Sequence, residues 1–272
     1  SAPENVLIVD TGPERPRVLG EVDLFAARQL VHEKAIYLHD SQQYHVDELD
    51  WEERQAMVRP VDSDYYTQAE LAVTLKPLDV FDQAPRTAGA RQHGEVMISS
   101  IATIFKKLKL DTHENVGWGT VDLPEMEVHT TAWWLAVEPA AVSDWRREDM
   151  DAALVGTGRA LQTVASVLLM ADPHDLGMVA QVQSPHAECP VVYLWEAAPG
   201  GVGMSPRLFD RTEELVRGAL ELVEGCDCEV GCPACVGPRG ESRLDGRQLA
   251  TRLLRLLDGS STQTRTPVEV AA

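Results

Sequence analysis

Cys226-Asp227-Cys228-Glu229-Val230-Gly231-Cys232-Pro233-Ala234-Cys235 holds four of the chain's five cysteines. The spacing is C-x-C-x3-C-x2-C. Thiolates this close in sequence can converge on one tetrahedral centre. Zn²⁺ suits them best, because soft sulfur ligands and closed tetrahedral geometry define structural zinc sites. An iron–sulfur cluster uses the same four ligands and remains the rival. A disulfide fits less well, since the two cysteines of a C-x-C pair bond poorly to each other. Four protein ligands leave no position for water, so the spacing predicts one structural ion and no Lewis-acid hydrolysis. Cys189 stands apart, before Pro190, and reads as a core thiol.

The loop is framed by helical patterns. Ser205-Pro206 is a helix start, with Ser as N-cap and Pro in the first turn. Leu208, Leu215, Ala219 and Leu222 then share a face, and Gly225 closes the helix. A last helix is predicted from about Gly246 to Leu257, with Leu249, Leu253 and Leu256 inward. Further upstream, Arg147 to Met170 carries Met150, Leu154, Leu161, Ala165 and Leu168 at helical period. Gly156 and Gly158 weaken that helix but permit close packing. Pro190 to Trp195 reads as a short buried strand.

The first 140 residues read mainly as strands broken by Pro and Gly, with one short helix from Leu24 to Val31 capped by Asp23. The predicted fold class is therefore α+β. A β-rich half (1–140), a meander or small barrel, precedes an α/β zinc-binding part (141–258) whose helices flank the cysteine loop. A loose tail (259–272) follows.

Composition bounds the function. The chain has 272 residues, 44% hydrophobic and 25% charged, enough apolar side chain for a core. No run approaches 18 consecutive apolar residues, so no membrane span or membrane partner is expected. Ser1-Ala2-Pro3-Glu4 lacks the basic and apolar regions of a signal peptide. A piece of a longer, cytoplasmic protein is expected. A net charge of −19 disfavours broad non-specific nucleic-acid binding, so any such contact must be local. Two basic clusters stand out: Lys106-Lys107-Leu108-Lys109, and Arg239, Arg243, Arg247, Arg252 and Arg255. Trp133 and Trp134 are consecutive, so on a strand one ring points in and the other out, where it could pack or stack on a base.

Much catalytic machinery is missing. There is no P-loop, no G-x-S-x-G and no H-E-x-x-H. Gly200-Gly201-Val202-Gly203 could cradle a phosphate, but a tight strand-to-helix connection uses the same residues. Asp172-Pro173-His174-Asp175-Leu176-Gly177 offers polar atoms in what also reads as a turn. His32, His39 and His45 could meet on neighbouring strands.

Several stretches together carry a family resemblance. They are Val18 to Asp23, Ala35 to His39, Tyr44 to Asp50, Pro60 to Thr67, Thr130 to Leu135, Asp172 to Gly177, Pro199 to Gly203, and the cysteine loop ending Cys232-Pro233-Ala234-Cys235-Val236-Gly237. In this order they resemble the C-terminal region of the MrfA-like superfamily 2 DNA helicases, whose mycobacterial relatives are called SftH and whose zinc-binding part was labelled DUF1998. The resemblance implies a parent with two RecA-like motor domains, a DNA-dependent ATPase moving 3′ to 5′ on single strands and linked to DNA repair. It also implies that Cys226, Cys228, Cys232 and Cys235 bind zinc. Glu196 stands where an aspartate is expected before Pro-Gly-Gly. On this reading the chain is a non-catalytic module that braces the motor domains of its own parent and guides single-stranded DNA. Lys106, Lys107, Lys109, Arg239, Arg243 and Trp134 are the candidate DNA contacts. The alternative is a docking module that recruits a protein through its acidic surface.

Overall fold

The computed structural model describes residues 5–12, 15–237 and 245–259. Two compact units emerge, and they interleave along the chain. The described residues up to 73 and those of 99–127 form one, and 74–98 with the described residues from 128 onward form the other.

The first unit begins with β1 (Asn5–Asp10), whose residues alternate half-buried and buried, the signature of a strand with one face on a core. It continues through β2 (Arg17–Asp23), α1 (Leu24–Leu30), β3 (Ile36–His39), β4 (Gln42–Asp50) and β5 (Gln55–Val61). Asp23 caps α1 as predicted, its Oδ1 accepting from the Ala26 N–H at 2.9 Å. The five strands lie in the order β2-β1-β5-β4-β3. All neighbours are antiparallel except β1 and β5, which pair in parallel. This one pairing distinguishes the sheet from a plain meander. Its core gathers Val6, Ile8, Val31, Tyr44, Val46, Val58 and Phe105.

Two long strands follow, β6 (Tyr65–Arg86) and β7 (Gly89–Lys109), each contributing residues to both units. Next come β8 (Asn115–Thr120), which pairs with the end of β7, and β9 (Met126–Val137). The remaining elements are α2 (Arg147–Leu169), β10 (Leu176–Gln181), β11 (Val191–Glu196), α3 (Met204–Asp210), α4 (Thr212–Glu224) and α5 (Gly246–Asp258). The second sheet runs β10-β11-β9-β7-β6, with β8 beside β7.

β11 is buried along its whole length, as its apolar run predicts. Its partner β9 sets Trp133 opposite Leu194 and Trp134 opposite Tyr193. α2, α4 and α5 bury Leu154, Leu161, Leu215, Val216, Leu253 and Leu254 in one core with Trp133 and Leu194. By length and composition α2 could cross a bilayer, but 56% of its most apolar stretch is buried inside this unit, the use a core helix makes of such residues. Its two glycines explain how the neighbours come so close. A Cβ at Gly156 would lie 3.0 Å from the Ala250 Cβ and 3.2 Å from the Val236 Cβ, and one at Gly158 would lie 2.7 Å from the Met178 sulfur.

The helix expected from Ser205 to Gly225 is two helices. Gly203, with positive φ, stands at the N-cap, and Ser205 lies in the first turn. The break falls at Arg211, beside buried Thr212, whose hydroxyl lies 2.9 Å from both the Leu208 and Phe209 carbonyl oxygens. Such back-bonding disturbs a helix. Of the predicted tail, all but Gly259 lies outside the described residues.

Candidate metal centre and nucleic-acid surface

α4 ends at Gly225 and delivers Cys226 directly into the loop. The Cys235 and Gly237 N–H groups both donate to the Cys232 carbonyl at 3.0 Å, folding the last two ligands into a tight turn. The four sulfurs meet. Cys226 Sγ lies 3.5 Å from Cys228 and 3.6 Å from Cys232, and Cys235 Sγ lies 3.5 Å from Cys228 and 3.6 Å from Cys232. All four fall within 4.8 Å of one another. These distances exclude disulfides, whose S–S bond is about 2.05 Å. They match a tetrahedron around Zn²⁺, where Zn–S bonds of about 2.3 Å set sulfur–sulfur edges of about 3.8 Å. Without an ion the cluster titrates unevenly. The Cys226 thiol is lowered to about 7, chiefly by the Cys228 backbone, and Cys228 is pushed up to about 12, by desolvation first and then by its sulfur neighbours.

Arg247, on the first turn of α5, reaches across this loop. Its guanidinium donates to the carbonyls of Val223 (3.1 Å), Glu224 (3.2 Å) and Cys228. Its backbone N–H donates to Val230 O at 3.2 Å. The other described arginines of that basic cluster are also engaged. Arg252 pairs with Asp144 at 2.7 Å over the Trp145 ring, and Arg255 pairs with Glu224 at 2.7 Å. Arg239 and Arg243 lie outside the described residues.

The glycine-rich turn holds an anion, and the anion belongs to the protein. Gly200, Gly201 and Gly203 all have positive φ. Fully buried Glu196 fills the resulting cradle. Its carboxylate accepts from the N–H groups of Val202 (2.6 Å) and Ser205 (2.7 Å) and from the Thr131 hydroxyl (2.8 Å). Burial alone would raise its pKa. The N–H groups of Ser205 and Val202, the Thr131 hydroxyl and the Met204 N–H override that and hold it below the usual carboxylate value. A Cβ at Gly201 would sit 2.2 Å from the Thr131 hydroxyl oxygen, so the turn closes only with glycine there. The carboxylate thus occupies the place that a phosphate would need.

Asp172 and Asp175 form a reciprocal capping box around a short 3₁₀ turn, and the His174 side chain is 96% exposed. This is turn chemistry, with no buried reacting group beside it. His32 is buried against Phe105, His45 bonds Asp47, and His39 lies beside Tyr37, so the three do not converge. Among the described residues, the cysteines are the one group suited to a metal.

Trp134 corrects an expectation. It is 2% exposed, lies beside Tyr193 and donates its indole N–H to Gln92. A ring buried on the second face of the sheet cannot stack on a base. Trp133 is buried on the opposite face, bonded to Thr212 at 3.0 Å. Lys106, Lys107 and Lys109 occupy the end of β7, with Lys106 opposite Trp118 and Lys107 opposite Gly117. Lys106 pairs with Glu70 at 2.7 Å and lies over the Trp118 ring, and Lys107 lies over Tyr65. Trp118, directly across from Lys106 on β8, is 52% exposed. The sequence signal for it is Gly117-Trp118-Gly119. Alternation puts both glycines on the Phe105 face and sends the indole the other way.

The cysteines fall in a stretch with known counterparts. Residues 157–236 match the MrfA Zn-binding domain family. Beyond that domain, the chain is 38% identical over 259 residues to the uncharacterized ATP-dependent helicase YprA of Bacillus subtilis, covering 95% of this chain and 34% of YprA. The DUF1998 helicase MrfA, in a crystal structure bound to DNA, is 37% identical with a TM-score of 0.67, over 93% of this chain and 34% of that one. With DNA and AMPPNP bound, MrfA matches at 36% identity and a TM-score of 0.57, over 93% of this chain and 31% of that one. The chain thus spans about a third of the length of YprA and MrfA.

Proposed function

We propose that this chain is the non-catalytic, zinc-containing C-terminal module of a superfamily 2 DNA-dependent ATPase and 3′–5′ helicase that serves DNA repair. One zinc ion, held by Cys226, Cys228, Cys232 and Cys235, is structural and fixes the α4–α5 corner. The observation that carries the reading is the closed four-sulfur cluster, within a domain of the MrfA zinc-binding family. A saturated tetrahedral ion supplies rigidity and no open coordination position.

The module braces the RecA-like motor domains of its parent and guides the single strand. Two observations support the DNA part: Lys106 at the end of β7 beside the exposed Trp118, with Lys107 and Lys109 next to it in sequence, and the DNA held by MrfA in its crystal structure. In a chain of net charge −19, such a local site is the form that phosphate binding would take. The test is fluorescence anisotropy of a labelled single-stranded oligonucleotide, titrated with the zinc-loaded chain at several salt concentrations. Affinity should fall steeply with salt. Replacing Lys106, Lys107 and Lys109 with Ala should flatten the log–log slope by roughly 0.7 for each phosphate no longer neutralised. No binding at low salt, or an unchanged slope, would overturn the DNA assignment and leave a docking or bracing surface.

A further inference from the structure

We infer that Arg247 is the positioning residue of the metal loop and governs how long the loop keeps its ion. It does not touch a sulfur. Its side chain acts through three backbone carbonyls, those of Val223 and Glu224 in the last turn of α4 and that of Cys228 in the loop, while its backbone N–H holds a fourth, Val230, whatever the side chain.

Each set of carbonyls needs such a partner. The last carbonyls of a helix have no N–H donor left within it. The loop between Cys226 and Cys232 has no regular structure to satisfy its own backbone. One side chain answers both needs, so the direction in which α4 presents Cys226 and the path carrying Cys228 are set by the same group. α5 anchors it in turn. Asp245 caps this helix, accepting from the Gln248 N–H at 3.0 Å, and Ala250, Leu253 and Leu254 are buried in the core. The clamp therefore stands on a rigid element, as a support for metal ligands must.

Charge adds to geometry. Four thiolates around a divalent cation carry a net charge of −2, and Asp227 and Glu229 lie in the same loop. A guanidinium that cannot lose its proton is the fitting neighbour. Lysine would keep the charge, but its single ammonium lacks the planar fork that spreads over three carbonyls.

This inference rests on the zinc reading of the loop. The experiment follows zinc release from the loaded full chain into excess chelator, read with a chromogenic zinc indicator, for wild type, Arg247→Ala, Arg247→Lys and Arg255→Ala. Loss of a supporting residue of this kind costs about 10–100-fold in metal affinity. Arg247→Ala should release zinc faster by a factor in that range, with Arg247→Lys between it and wild type. Arg255→Ala, which removes an exposed pair on the same helix, should stay within about threefold of wild type. If Arg247→Ala does not fold, Arg247→Lys decides: faster release supports the clamp and an unchanged rate overturns it. Equal rates for wild type and both Arg247 variants would defeat the role of Arg247 alone. A wild-type chain that holds no zinc would defeat the metal reading itself.

Discussion

The Glu196 Oε1 atom lies 2.7 Å from the backbone nitrogen of Ser205, nine residues on, and 2.8 Å from the Thr131 hydroxyl on the neighbouring strand. One buried carboxylate therefore joins β11, β9 and the first turn of α3. It also accounts for the glycine run without any ligand.

Glu196 gives the fold an acid-sensitive element. Its folded pKa lies below 4.5, its ordinary value, because the donors aimed at the carboxylate outweigh its burial. The stabilisation is fully present above 4.5 and is lost as pH falls from there through the folded value. Urea unfolding midpoints should drop over that window in wild type and drop less in Glu196→Gln. Glu196→Ala should cost about 3 kcal/mol or more at neutral pH, because it strands several buried donors. Glu196→Asp keeps the charge but withdraws it by one methylene, so its loss should be smaller. Equal acid sensitivity of wild type and Glu196→Gln would remove Glu196 from this role.

The Trp133–Thr212 bond should matter to the helix break. Thr212→Ala leaves the indole N–H buried without an acceptor, a cost of about 1–3 kcal/mol. Thr212→Ser keeps the hydroxyl and should recover most of it. Thermal melts of the two variants decide the point. Identical melting temperatures would show that the hydroxyl is dispensable.

Trp118 is the aromatic residue that the DNA reading needs. Trp118→Ala should weaken oligonucleotide binding by about 1–3 kcal/mol, the worth of one base stacked on a ring. The salt slope should stay close to wild type, since no positive charge is removed. Unchanged affinity together with an unchanged slope would point to the lysines alone.

Much of this molecule is legible in sequence, for local reasons. The cysteine spacing, the Asp23 cap and the glycines of α2 each state a short-range constraint, and each holds. The extent of β6 and β7 is not legible. Pro77 and Pro85 interrupt the strand pattern of β6, yet β6 is the last strand of its sheet, where a missing N–H can face away from the ladder. Trp134 escapes sequence reading because alternation identifies two faces but not whether both are covered. Glu196 shows in sequence only as a departure from a family pattern. Nothing local to it reveals that the Val202 and Ser205 N–H groups turn back towards its side chain. Arg247 reads as part of a basic surface, since its carbonyl partners are backbone atoms to which the sequence gives no clue.

Zinc binding should be proton-linked. With its thiols otherwise protonating at about 7 for Cys226 and about 12 for Cys228, loading the ion expels protons, so apparent affinity falls as pH is lowered through neutrality. Stripping the metal should loosen the α4–α5 corner, because the binding free energy of such a site is folding free energy. Far-UV circular dichroism should show lost helix signal after chelation and its return on adding zinc.

The most direct test of the central claim is elemental analysis of the purified chain together with its absorption spectrum. The account predicts one zinc per chain, no iron, and no visible absorption. A brown protein with iron and sulfide, or a chain that folds and melts identically with no metal at all, would contradict it.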